Sequence, residues 1–159
     1  MFTGDTHFGD HRTINIHGRP FGSVEEMNRA LIDLWNAAVR PEDDIWHLGD
    51  FARTLKAAEQ ILPLLNGRKH LIRGNNDPVG LSALGGWKSV QDYAELECGG
   101  RLLVLCHYPF RSWNGQHRKS LNLHGHSHGR LKALPRQVDV GADAWAFSPV
   151  TLDEVLQRT

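Results

Sequence analysis

The chain has 159 residues, 40% hydrophobic and 23% charged, a balance that allows a buried core and excludes a disordered chain. Lysine plus arginine and aspartate plus glutamate each total 18, so the formal charge is zero and no broad surface for duplex nucleic acid or an anionic membrane is expected, beyond a local basic pocket. No apolar run reaches membrane-spanning length, the start MFTGDTH lacks the regions of an export signal, and the two cysteines, Cys98 and Cys106, make no disulfide framework; a reducing cytoplasm is the expected compartment.

Residues 1–159 read as one domain, because no repeat, low-complexity tract or linker-like shift divides them. Phe2 to Gly4 reads as the tail of a strand that runs into a polar loop. Ser23-Val-Glu-Glu26 has the form of a capping box, the serine oxygen and the Glu26 carboxylate each taking a free amide at a helix start. The stretch MNRALIDLWNAAV repeats apolar residues at helical spacing, with Trp35 on the apolar face, and stops before Pro41. DDIWHLGD predicts a strand that contains Trp46 and ends in Gly49-Asp50. Thr54 to Leu65 predicts a second helix, closed by Asn66-Gly67. KHLIRGNND is another strand that runs into a turn, and Gly80 to Trp87 is left unassigned. YAELECGGRLLVLCHYP predicts a hairpin through Gly99-Gly100, followed by strands in SLNLHGHSH and RQVDVGADA. Thr151-Leu-Asp-Glu154 repeats the capping-box form before a short final helix.

Strand, helix, strand, helix, strand, then mainly strands, predicts an α/β fold with two sheets packed together. Each polar motif follows the apolar run of a strand, where the loops of α/β folds gather into sites.

Ten histidines are the unusual count, and many fall in short motifs. Five packets stand out: Asp5-Thr-His7, Gly49-Asp50, Gly74-Asn-Asn-Asp77, the isolated His107, and Gly125-His-Ser-His128. In extended backbone, residues two apart face one side, so Asp5 with His7, and His126 with His128, are expected to point into one cavity. Imidazole, carboxylate and amide donors without thiolate suit manganese, iron, zinc, nickel or cobalt better than a structural four-cysteine zinc site. One ion with three or four protein ligands leaves about half of Asp5, His7, Asp50, Asn75, His107, His126 and His128 unused. Two ions about 3.5–4 Å apart use them all if a carboxylate bridges, and Asp50, alone at a strand end, is the expected bridge. Each packet alone is a common coincidence; the ordered set is not.

That set, D-x-H … GD … GN … H … GHxH, resembles the calcineurin-like metallophosphoesterase family from Asp5 to His128. DTHFGD, RPF and WHLGDFA look like a small bacterial and phage branch whose members are close to this length. The resemblance implies a four-layer fold, a β-sandwich of two mixed sheets flanked by helices, with two divalent ions at the strand ends. It implies Asp5, His7 and His128 as ligands of the first ion, Asn75, His107 and His126 as ligands of the second, and Asp50 as the bridge. It further implies hydrolysis of phosphate esters by a metal-bound hydroxide attacking phosphorus in line, opposite the leaving oxygen.

The third motif departs from the family's commonest form. That form reads GNH followed by an acid, the histidine placed to protonate the leaving alcohol, whereas this chain reads GNND. Asn76 can donate a hydrogen bond to a phosphate oxygen but is no titrating acid. Asp77 matches the acid that orients the histidine, and is expected to hold Asn76 instead. The change favours phosphodiesters over monoesters, the leaving group being protonated by water or good enough to need no proton. Asp10, His11 and Arg12, in the loop after the first motif, are the remaining candidates for substrate contact.

RSWNGQHRK, Arg111 to Lys119, reads either as a rim loop that stacks a base or, preferably, as an ordinary solvent-facing connection. Cys106 reads as a small buried hydrophobe rather than a nucleophile. A metallo-β-lactamase-like hydrolase would need H-x-H-x-D-H, and HSHGRL lacks the D-H. A metal-stabilised binding module would lose its fold on chelation, whereas an enzyme with an adequate apolar core would stay folded and lose activity. The expected partner is a small phosphate ester, with a nucleotide among the candidates, rather than extended nucleic acid or membrane.

Overall fold

In a computed structural model describing residues 1–132 and 134–159, eight strands form two four-stranded sheets. The first sheet is parallel throughout, in the order β1 (Phe2–Thr3), β2 (Asp44–His47), β3 (Arg68–Ile72), β4 (Trp87–Gln91). The second runs β5 (Tyr93–Cys98), β6 (Arg101–Cys106), β7 (Leu121–His124), β8 (Gln137–Asp139), with β5 antiparallel to β6 and the other pairs parallel. The helices are α1 (His11–His17), α2 (Val24–Ala38), α3 (Leu55–Ile61) and α4 (Leu152–Leu156). This is the expected pair of sheets flanked by helices.

Strand alternation divides the apolar residues between two cores. Ile45 and Leu71 face the helices and pack with Met27, Leu31 and Trp35 of α2 and Ala58 and Ile61 of α3. Leu48 and Ile72, from the same stretches, face the other way and pack on Leu103, Leu105, Leu121, Leu123 and Val138 of the second sheet. The buried residues of α2 recur every four positions, the spacing that holds one face of a helix on a sheet. Trp35 is buried to 1% exposure, and its indole N–H donates to the Asn66 carbonyl at 3.0 Å.

Several boundaries differ from the sequence reading for local reasons. The loop expected after the first motif contains α1: Asp10 caps its start by accepting from the Arg12 amide, and Gly18, left-handed at φ 65°, ends it. In α2, Ser23 caps the Glu26 amide as expected, but the Glu26 carboxylate accepts from Gly22 rather than from the cap residue itself. Pro63 ends α3 early, and a 3₁₀ turn, Leu62–Leu64, completes that stretch. The unassigned segment holds a 3₁₀ turn, Leu81–Ala83, and runs into β4, whose partly buried residues lack a clear alternation. The hairpin turns at Gly99 and Gly100, both at positive φ, and Thr151 with Glu154 forms a full capping box on α4. Among the described residues, no helix is long and apolar enough to cross a membrane.

Replacing Trp35 with alanine should cost about 3–5 kcal/mol, read as a lowered urea midpoint at unchanged slope, since it opens a cavity and orphans the Asn66 carbonyl. A cost below 1 kcal/mol would show that α2 does not depend on this anchor.

Candidate metal centre

Because β1, β2, β3, β6, β7 and β8 run parallel within their sheets, the segments after their carboxyl ends can gather on one rim. Asp5 follows β1, Asp50 follows β2, Asn75 follows β3, His107 follows β6, and His126 and His128 follow β7. Two donor groups form there, Asp5 with His7 and His128, and Asp5 with Asp50 and His107, the ligand atoms of each within 4.8 Å of one another. The residue common to both groups is Asp5, although Asp50 alone was expected to be shared. Asp50 nonetheless lies between the two sides, Oδ2 3.5 Å from His7 Nε2 and Oδ1 3.6 Å from His107 Nε2.

Strand alternation is not what turns these side chains inward. Asp5, His7, Asp50, His126 and His128 all have positive φ, between 49° and 66°, a left-handed conformation that costs non-glycine residues free energy. The same turns separate the two histidines of the last motif. His128 stacks with His7 at 5.3 Å between centroids, whereas His126 sits edge-on to His107 at 5.1 Å.

The donors have the chemistry of cation ligands. Asp5 is fully buried, its Oδ2 has no hydrogen-bond partner, and burial next to Asp139 pushes its carboxyl well above the usual range. His7 Nε2 is likewise buried without a partner, and burial holds the ring neutral, with a pKa lowered to about 4. His107 Nδ1 faces the Leu48 carbonyl at 2.7 Å, which fixes the proton there. Nε2 is then a bare acceptor 3.0 Å from another, Asn75 Oδ1, a pair of ligand atoms that would suit a cation. His128 Nδ1 meets Asp143 Oδ2 at 2.7 Å, which likewise leaves Nε2 free. These residues fit divalent ions.

Sequence reasoning passed over the side chains that hold the ligands. Arg19, 4% exposed, donates to the Asp5 carbonyl at 2.6 Å, the Thr6 carbonyl at 2.9 Å, and both oxygens of Asp143 at 2.9 and 2.7 Å. It thereby ties the first motif to the carboxylate that orients His128. Burial opposes ionisation of Asp143, but the bonds from His128 and Arg19 prevail and keep its carboxyl below the ordinary range. Asp139 accepts from Ser127 and from the Gly129 and Gly141 amides, fixing the turn that carries His128. Gly125 and Gly141 lie so close to Asp5 that a methyl on either would collide with its carboxylate. His47 Nε2 shares a hydrogen bond with Thr6, and His17 stacks on His128 at 3.5 Å. An arginine in RPF, a lone aspartate in GADA and a histidine closing a short helix give no local signal of these contacts.

One expectation needs correction, the pairing of Asp77 with Asn76. Asp77 does not hold Asn76; it accepts from the amides of Asp50, Phe51 and Gly74, joining the second and third motifs, and burial pushes its pKa up to about 6. Asn76 instead donates to Asp50, from its backbone at 2.8 Å and its side chain at 2.7 Å. Of the substrate-contact candidates, the Arg12 side chain donates two bonds to Asp10, and His11 is exposed. In Arg111 to Lys119, Trp113 is buried, its indole toward the Ser120 carbonyl, which favours the preferred reading of a connection over a base-stacking rim.

The profile of the calcineurin-like phosphoesterase superfamily domain matches residues 2–149. An uncharacterized protein of Methanocaldococcus jannaschii is 33% identical, covering 96% of this chain and 86% of its own length. The gene 66 protein of Mycobacterium phage D29 is also 33% identical, over 97% of this chain and 92% of its own. The crystal structure of a protein of unknown function from Aquifex aeolicus shares the fold, with a TM-score of 0.81 at 22% identity, over 99% of this chain and 97% of that one.

Methionine at Arg19 should lower stability by about 3–5 kcal/mol in denaturant unfolding, because it strands the buried Asp143 and two carbonyls. Lysine should recover little, lacking the planar fork. Near-wild-type stability of both variants would show that the clamp is dispensable.

Proposed function

The chain belongs to the calcineurin-like phosphoesterase superfamily, and from that premise we propose that it hydrolyses phosphate esters, diesters in preference to monoesters. Asp5, His7, Asp50 and His128 would hold one divalent ion, and Asp50, Asn75, His107 and His126 a second. The observation that carries this reading is the position of Asp50, one carboxylate oxygen toward His7 and the other toward His107. Divalent ions in such a centre supply Lewis acidity, acidifying water and offsetting negative charge on phosphoryl oxygens.

The chain's own residues set the rest. His107 and His128 keep their Nδ1 protons on an acceptor, so each presents an unprotonated Nε2. Asn76 binds Asp50 through both backbone and side chain, so it steadies the proposed bridge rather than protonating a leaving group. Without a titrating acid at that position, leaving groups that depart as stable anions are favoured, which supports activated diesters over alkyl monoesters. The substrate is a small phosphate ester, nucleotides included. A purely structural role for the ions is less well supported, since two apolar cores hold the sheets and helices together away from the ligands.

Chelated protein should keep its far-ultraviolet circular dichroism and lose turnover of aryl phosphodiesters, which reloading with manganese, nickel, zinc or cobalt should restore. Asp50→Asn should lower turnover at least about a hundredfold and reduce bound metal measured by elemental analysis. No turnover with any metal and substrate combination, or unfolding on chelation, would leave the binding-module reading in its place. Asn76→His should raise the rate on poor leaving groups relative to good ones; an unchanged ratio with full metal content would count against the role given to Asn76.

A further inference from the structure

The two sides of the centre are unequally covered. On the His7 side, the His17 ring lies flat against His128, 3.5 Å between centroids and 9° between planes. On the other side a cleft of about 450 Å³ opens beside Asn75, lined by Arg73, Gly74, Asn75, Asp92, Cys106 and Tyr108. Its volume falls in the range of small-molecule sites. Tyr108 stands where cleft and centre meet, its ring 5.1 Å from His107 and 4.7 Å from His126 in edge-to-face contact. It is nonetheless 46% exposed, so much of the ring remains open. Arg73 and Asp92, joined by hydrogen bonds of 2.8 and 2.7 Å, line the same cleft.

We propose that this cleft binds the nucleoside of a nucleotide ester whose phosphate lies at the metal centre, with the base stacked on Tyr108. The inference rests on the phosphoesterase reading for the phosphate and goes beyond it in naming the substrate class. An open aromatic face recognises a planar ring whatever its hydrogen-bonding edge, so it selects nucleosides as a class rather than one base. The Arg73–Asp92 pair offers donors and acceptors to the polar edges of base and sugar. Exposed aromatic area beside candidate ligands His107 and His126 couples the base to the phosphate through rigid neighbours.

The test is calorimetric titration of manganese-loaded protein with thymidine 5′-monophosphate and with methyl phosphate, alongside turnover of thymidine 5′-p-nitrophenyl phosphate. Wild type should bind the nucleotide about tenfold or more tighter than methyl phosphate, the advantage one stacked base gives. Tyr108→Phe should keep that ratio, and Tyr108→Ala and Tyr108→Leu should bring it close to one. Two leucine and alanine variants guard against a folding artefact, and unchanged thermal melting of either qualifies it. A wild-type ratio near one, or a ratio untouched by both substitutions, overturns the cleft assignment even if turnover is brisk. A Tyr108-dependent nucleotide preference without turnover supports the cleft and overturns only the hydrolase reading.

Discussion

The rim is organised around a carboxylate that the fold buries and leaves without a sufficient counter-charge. Asp5 is fully buried, one of its oxygens has no partner, and Asp50, Asp139 and Asp143 all bear on it electrostatically. An isolated ionised group in a low-dielectric interior is costly unless it is paired, hydrogen-bonded or bound to a cation. Arg19, the buried cation nearby, directs its donors to Asp143 and to two backbone carbonyls, so it does not neutralise the Asp5 carboxylate. The acid cluster and the bare imidazole nitrogens facing it therefore have the charge pattern of a cation site.

Holding such a cluster together demands a stiff frame. The frame comes from joining loops that leave different strands: Asp77 accepts from amides of two motifs, Arg19 reaches the first motif and Asp143, and His47 meets Thr6. These bonds hold five non-glycine residues in a left-handed backbone conformation that an unsupported loop would leave. Five of the nine described non-glycine residues at positive φ are candidate ligands, and the two apolar cores beneath them stabilise the strands from which the loops emerge.

Asn76 is itself part of this frame, bound to Asp50 through backbone and side chain. A side chain that donates to Asp50 preserves the position of the proposed bridge while supplying no proton within the range of neutral pH. Under the proposed hydrolysis, the centre would activate and bind while the leaving group departs without a proton from this position. The cleft beside Tyr108 would complement this in the proposed reading, since affinity for the organic part of a substrate would come from stacking rather than from the phosphate.

What the sequence alone determined follows from short-range rules. Apolar periodicity marked α2, turn glycines marked the β5–β6 hairpin, Thr151 with Glu154 marked α4, and the order of five polar packets marked the ligand candidates. Their convergence was also foreseeable, because polar packets after strand ends meet on one rim in a parallel sheet. Tertiary structure decided the rest: that His128 turns to His7 while His126 turns to His107, that Asp77 binds backbone amides rather than Asn76, and that Arg19 and Asp143 orient a ligand 109 and 15 residues away in the chain, respectively. Such contacts carry no periodicity, and the left-handed turns that aim the ligands are stable only once bonds from distant loops enforce them. Local sequence fixes which groups are available, whereas the direction each one points is a property of the assembled rim.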